Sequence, residues 1–296
     1  MESSDLRVFQ AVAREGSITR AASRLGYVQS NVTARIQQLE SELGTVLFYR
    51  HNRGMTLSSS GKTLLAYADK IVGLLDEATL AVSSASEPRG PLTIGSTQTC
   101  AAVRLPKLLA SYYSRHPEVH LSLLTGHSQE LMEKVLQYEL DGAFIGCPCD
   151  HPELQSVTAF REELMLISAA SVHRLEEALT KPILVFSTGC SYREILQRWM
   201  LSSGLTHSLV MEFGTLEAII GGVSAGLGVS LMPKAVIQKH EAEGSLHAHV
   251  IPEPFRYMNT EFVTRKGSFQ SSALQAFIQT LPHLDSTKQA PLPSNL

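Results

Sequence analysis

The sequence predicts an α/β protein in two parts: an all-α N-terminal module, then a larger half in which strands and helices alternate. Three observations carry that expectation. Residues 17–44 read as two short helices joined by a tight polar turn. A strongly apolar helical run follows, from about Lys62 to Ser84. Beyond the breaker cluster Glu87-Pro88-Arg89-Gly90-Pro91, strand-like and helix-like runs alternate, the pattern of parallel sheets with helices on their faces.

Composition bounds the class. A chain of 296 residues suits two or three domains, and 44% hydrophobic with 18% charged residues suits a folded protein rather than a disordered one. The net charge of -3 does not mark a nucleic-acid binder. By segment, residues 1–60 hold seven Arg against five acids, which gives +2 and leaves -5 for the remainder. No run of about 18 apolar residues is present to span a membrane, so no membrane partner is expected. The start, MESSDLRVF, lacks a basic segment followed by an apolar one. Four cysteines without an export signal point to reduced thiols in a cytoplasm.

The N-terminal elements follow in order. Ser3 or Ser4 caps a first helix ending near Glu15, with Leu6, Phe9 and Ala13 on one face. Gly16 stops it, and Ser17, which caps a second helix from Ile18 to Leu25, is also a candidate DNA contact. The third helix runs from about Gln29 to Leu43. Val32, Ile36, Leu39 and Leu43 form its core-facing stripe. Opposite lie Ser30, Thr33, Ala34 and Gln37, flanked by Gln29, Asn31, Arg35 and Gln38. Amides of this kind bond adenine edges, hydroxyls serve several bases, and methyl groups suit the thymine methyl. Two short strands around His51-Asn52-Arg53-Gly54 make a wing, with Arg50 and Arg53 placed for phosphate. This is a winged helix-turn-helix, a module that sets one helix in the major groove of double-stranded DNA. The long apolar helix after Gly61 outruns so small a module and is expected to pack on a copy of itself.

In the larger half, strands are expected at Leu92–Gly95, Val119–Leu124, Gly142–Ile145, Leu164–Ser168, Ile183–Phe186, Val229–Met232 and Thr260–Thr264. Helices are expected at Ala101–Arg115, Gln129–Tyr138, Arg193–Leu201, Leu216–Ala225 and Ser271–Leu281. Ligands of such folds bind beyond the carboxyl ends of strands. Five loops there carry hydroxyls or thiols: Ser96-Thr97-Gln98-Thr99-Cys100, Gly126-His127-Ser128, Gly146-Cys147-Pro148-Cys149, Ser187-Thr188-Gly189-Cys190-Ser191 and Phe213-Gly214-Thr215. Any one of them is explained by helix capping alone; five together favour a cleft for a small polar ligand, with anion-binding character at the helix starts.

Residues 1–60 resemble the winged helix-turn-helix of LysR-type transcriptional regulators. The resemblance is carried by Phe9, Gly16-Ser17, Ala21-Ala22, Leu25, Gln29-Ser30, Val32-Thr33, Ile36, Leu39-Glu40, Leu43-Gly44, Leu47-Phe48, Arg50, Leu57 and Gly61, in order. Val28 departs from the family, which usually has Ser or Thr there. Ala34 departs too, where Arg is common. The run from Gly221 to Pro233, GGVSAGLGVSLMP, is also close to the family's form. The resemblance implies a bacterial cytoplasmic regulator with four parts. These are a DNA-binding domain over 1–60, a linker and dimerisation helix over 61–90, an effector domain over 91–284 and a disordered tail over 285–296. The effector domain would be periplasmic-binding-protein-like. Subdomain I would span about 91–160 and 265–284, and subdomain II about 161–264, with crossings near Phe160-Arg161 and Thr264-Arg265. Implied effector contacts are Ser96, Thr97, Thr99, His127, Ser128, Gly146, Cys190, Ser191 and Thr215, to which the loop thiols Cys100 and Cys147 are added.

Other chemistries find less support. Cys147-Pro148-Cys149 is not a CxxC pair, so no metal site is assigned. A thiol- or metal-responsive regulator using Cys100, Cys147, Cys149 and Cys190 stands as an alternative. His247-Ala248-His249 alternates on a strand and is expected to face solvent. No GxSxG elbow, P-loop, HExxH or GxGxxG after a strand occurs, so neither an enzyme nor a cofactor is expected. A solute-binding protein or enzyme on the same α/β half would leave the helix-turn-helix unexplained. The expected function is a DNA-binding regulator modulated by a small, anionic effector. Its partners are promoter DNA, that effector and further copies of itself, as a dimer or a dimer of dimers. RNA polymerase is a further partner consistent with the resemblance.

Overall fold

The computed structural model describes residues 1–52, 54–82, 87–186, 189–204 and 209–282. The expected contact Arg53, the loop residues Ser187-Thr188 and the tail 285–296 lie outside the described residues. The chain divides into two compact units: Met1–Ser84 together with Leu136–Glu139, and the rest.

The first unit is built from α1 (Ser3–Glu15), α2 (Ile18–Leu25), α3 (Gln29–Leu43), β1 (Phe48–His51), β2 (Gly54–Leu57) and α4 (Ser59–Val82). Its core gathers Leu6, Phe9, Val12, Ala21, Val32, Ile36, Leu39, Leu47 and Phe48, with Ala68 and Val72 from α4. Each large apolar side chain buried there contributes about 1.5–3 kcal/mol. Two expectations change. Neither Ser3 nor Ser4 caps α1; Glu2 stands at the cap position, and its N–H donates to Asp5 Oδ2 at 3.0 Å. Leu43 falls off the buried stripe and is 41% exposed, because the last turn of α3 runs past the core.

Local chemistry sets the joints. Ser17 Oγ accepts from Arg20 N at 3.4 Å and so caps α2. The wing docks where Met55 N donates to Gly16 O at 2.9 Å. Gly54 is required at that joint: its φ is +131° and a Cβ would lie 2.3 Å from Gly16 O. Glu40 accepts from the Leu47 and Phe48 amides at 2.8 and 3.2 Å, fixing the entry to the wing. Buried Ser58 caps α4 by accepting from Gly61 N at 2.9 Å. Buried Asp69 then ties α4 to α1 through Gln10 (2.5 Å) and Arg14 (3.2 Å).

The second unit continues with β3 (Gly90–Ser96), α5 (Gln98–Val103), α6 (Leu105–Arg115), β4 (Val119–Thr125), α7 (Ser128–Leu136), β5 (Gly142–Ile145) and β6 (Leu154–Ala169). Then come α8 (Leu175–Ala178), β7 (Ile183–Phe186), α9 (Ser191–Ser202), β8 (Val210–Phe213), α10 (Leu216–Ser224), β9 (Ser230–Pro233), α11 (Lys234–Ala242), β10 (Leu246–Val250), α12 (Glu253–Arg256), β11 (Tyr257–Arg265) and α13 (Ser272–Gln279). It forms two lobes. In lobe I the strand order is β4-β3-β5-β11-β6, with β3 parallel to both neighbours. In lobe II the far half of β6 pairs with β10 and with β9, while β7 pairs with β8 in parallel and bridges to Val229. Each lobe has its own core, one around Phe144, Phe262 and Phe277, the other around Leu166, Ile183, Trp199 and Met232.

The sixteen-residue strand β6 runs through both lobes, and β11 pairs with it from Tyr257↔Glu163 to Arg265↔Leu154. The outward crossing therefore lies at Phe160–Glu163. The return strand begins at Tyr257, and Thr264-Arg265 lie at its far end. The sequence reading saw only the last third of β6, because Arg161, Glu162 and Glu163 mask the strand signal. The two acids are paired at the crossing, Glu162 with Arg104 and Glu163 with Arg256 and Lys234, and Arg161 lies over the Tyr257 ring. The expected single helix Ala101–Arg115 is two helices broken at Arg104. Pro106 has no N–H to continue the ladder. His249 is another correction. It is 6% exposed, not solvent-facing, and its ring bonds Ser168 Oγ at 2.8 Å.

Candidate DNA-reading face and ligand cleft

Val28 stands at the cap position before α3, offers no side-chain cap and is 69% exposed. With Val32, Ile36 and Leu39 turned into the core, the opposite face is left to solvent. Gln29, Ser30, Asn31, Ala34, Gln37 and Gln38 are all exposed, and Thr33 is half-buried. The face is mostly uncharged donors and acceptors, the equipment of base-edge readout rather than phosphate attraction. Several of its side chains are held. Gln29 Oε1 accepts from Thr19 Oγ1 at 3.3 Å, and Thr33 Oγ1 donates back to Gln29 O at 3.0 Å. Arg35 sits apart from the others assigned to this face. Its guanidinium donates to Asp5 Oδ1, Ser4 Oγ and Asn31 Oδ1, at 2.9, 2.9 and 3.0 Å. The geometry makes it a tie between α3 and α1. Ser17 is likewise committed to its cap. Arg50 is exposed on the wing strand β1.

The second site is a cavity of about 200 Å³ in the two-lobed unit. Lobe I contributes Thr97, Gln98, Thr99, Thr125, Gly126, His127, Ser128, Glu130 and Gly146. Lobe II contributes Phe186, Gly189, Cys190, Ser191 and Tyr192, and the crossing strand contributes Met258. Seven of the expected contacts are thus brought together: Thr97, Thr99, His127, Ser128, Gly146, Cys190 and Ser191. Four stand elsewhere. Ser96 is fully buried and donates to Thr97 O at 3.0 Å. Cys100 packs in the lobe I core. Thr215 caps α10 through Ala218 N at 3.2 Å. Cys147, after β5, does not line the cavity.

Two sets of hydrogen bonds join the lobes beside the cavity. Buried Thr99 Oγ1 and Tyr192 OH lie 2.8 Å apart. Gln98 Nε2 donates to Gly214 O at 3.1 Å, and its Oε1 accepts from Leu216 N at 3.2 Å. Sequence reasoning named the loops but missed Gln98, Tyr192, Glu130, Phe186 and Met258 as lining residues. Tyr192 sits one position past the loop that ends at Ser191, inside α9. Phe186 and Met258 read as ordinary core.

Burial governs the thiols. It pushes Cys100 up to about 12 and raises Cys147, Cys149 and Cys190 as well. At neutral pH all four are held as thiols, not the more reactive thiolates. All four are free, and among the described residues no three His, Cys, Asp or Glu groups are placed to hold a metal ion. Among those residues no helix is long and apolar enough to cross a membrane.

A DNA-reading module joined to a two-lobed ligand-binding unit defines a one-component transcriptional regulator. Residues 3–62 match the bacterial regulatory helix-turn-helix protein family of the lysR type, and residues 85–285 match the LysR substrate binding domain. The chain belongs to the LysR family of transcriptional regulators. It is 70% identical over 280 residues, 95% of each chain, to YusT of Bacillus subtilis (strain 168), described as an uncharacterized HTH-type transcriptional regulator. A cysteine-to-aspartate variant of full-length OxyR from Pseudomonas aeruginosa shares the fold at a TM-score of 0.75 and 21% identity, covering 95% of this chain and 94% of that one. Full-length CbnR complexed with its target DNA shares it at 0.68 and 23%, covering 95% and 99%.

Proposed function

We propose that this regulator reads its promoter with the exposed face of α3 and that a small polar molecule in the inter-lobe cavity sets that binding. The observation that carries the reading is a cavity lined from both lobes, next to the hydrogen bonds that join them. A ligand touching both walls changes the relative stability of open and closed lobes. It shifts the population only if it binds the two states with different affinity.

The exposed apolar stripe of α4 supports a dimer. Tyr67, Ile71, Leu74, Leu75 and Val82 are between 38% and 90% exposed, on a face adjoining buried Ala68 and Val72. That spacing suits a helix-on-helix seam with a second copy, two of which would present two recognition helices to a two-fold related site. A dimer of dimers, contact with RNA polymerase and a bacterial cytoplasmic location complete the reading.

The test is a mobility shift of the full chain on the DNA upstream of its own gene, at stated salt, with and without a low-molecular-mass extract of its host. Wild type should change its affinity or footprint on adding the extract. Thr125→Trp, which fills the cavity from its rim, should bind the DNA equally and ignore the extract. A Thr125→Trp protein that responds as wild type does would overturn the cavity's role.

A further inference from the structure

We propose that the molecule bound in this cavity is a small zwitterion, an α-amino acid or close relative, whose ammonium group is held by Glu130. The inference rests on the cavity being the effector site and adds the charge of its occupant. The hydroxyl-rich loops alone suggest an anion. The side chains that line the cavity shift that balance. No Lys or Arg occurs among the described lining residues, and Glu130 is the carboxylate among them. A dianion would enter facing that carboxylate, with no lysine or arginine as counter-charge.

Glu130 is placed by its helix. It lies in the first turn of α7, and its carboxylate folds over Gly126: a Cβ built on that glycine would meet Glu130 Oε2 at 3.0 Å. Gly126 thus leaves room for the carboxylate at the cavity wall. Among the described residues no cation pairs with Glu130, unlike Glu162 and Glu163 at the crossing. The rest of the wall supplies neutral hydrogen-bonding groups for a carboxylate, including Thr97, Thr125 and Ser191. Burial raises Cys190 and Tyr192, so neither adds negative charge at neutral pH. The volume of about 200 Å³ admits a compact amino acid.

The experiment compares matched pairs on the full-length protein by thermal shift and calorimetry. The twenty common amino acids are set against hydroxy acids of the same shape, such as L-alanine with L-lactate and L-serine with L-glycerate. At least one compact amino acid should bind, and its hydroxy analogue should bind about threefold more weakly, the worth of one ion pair at an exposed carboxylate. Glu130→Gln should lose the same factor while keeping its melting temperature. Glu130→Asp should recover part of it. The inference is overturned if no amino acid binds, if hydroxy acids or dicarboxylates bind as well as amino acids, or if Glu130→Gln binds like wild type. The effector reading itself falls separately, on the Thr125→Trp comparison above.

Discussion

Arg35 of the recognition helix donates to Asp5 of α1 at 2.9 Å, and the Asp5 side chain is only 11% exposed. A cation expected to meet DNA is committed inside its own module. Arg35→Ala should therefore lower stability by about 2 kcal/mol, since it strands a largely buried carboxylate. It should leave the salt dependence of DNA binding unchanged. Melting curves and a salt titration of affinity, run side by side, check both halves.

Arg50 should behave oppositely. It is exposed on the wing, where a cation meets phosphate. Arg50→Ala should reduce the slope of log affinity against log salt by about 0.9, the release of one phosphate counterion, with no change in melting temperature. The pair Arg35→Ala and Arg50→Ala thus separates a structural cation from a binding one.

The α4 stripe gives an assembly prediction. Leu74 is 51% exposed on a helix whose opposite side is fastened by Asp69. Leu74→Glu should leave the fold intact and shift sedimentation toward monomer. An unchanged oligomer would remove α4 as the interface.

Stability of the two-lobed unit should carry a histidine signature. Burial, with His247 and His173 beside it, holds His249 below the ordinary value of 6.5. The unfolded chain then takes up that proton before the folded one does. The stabilisation from neutral His249 is full above pH 6.5 and is lost as pH falls from there through the lower folded value. His249→Gln, which keeps a donor for Ser168, should lose less on acidification. Between about pH 7.5 and 5.5 its melting temperature should fall by about 2 °C less than that of wild type.

Legibility in the sequence followed local signals. Gly16, Ser17 and Gly44 announced the bounds of α2 and α3, and α3 lies where its apolar period placed it. The short strands β5 and β7 were equally plain, because both are continuous apolar runs. What failed depended on partners distant in sequence. The first two-thirds of β6 is strand because distant β11 pairs with it, while Arg104, Arg256 and Lys234 come from elsewhere to pair its acids. His249 is buried against Ser168, 81 residues away, with which its ring shares a hydrogen bond. In the cleft, hydroxyl-bearing loops were visible as loops. That Ser96 turns inward while Tyr192 reaches across to Thr99 depends on how the lobes meet, and no spacing encodes it.

The central claim is that the solvent face of α3 reads bases. Gln29 tests it most directly, being exposed, at the start of the helix and outside the core. The measurement is the ratio of affinity for the promoter site to affinity for scrambled DNA, at one salt concentration, for wild type and Gln29→Ala. The account predicts that Gln29→Ala lowers affinity for the site about tenfold, within the 1–3 kcal/mol of a base contact, and leaves binding to scrambled DNA and the melting temperature unchanged. An unaltered ratio and footprint would contradict it.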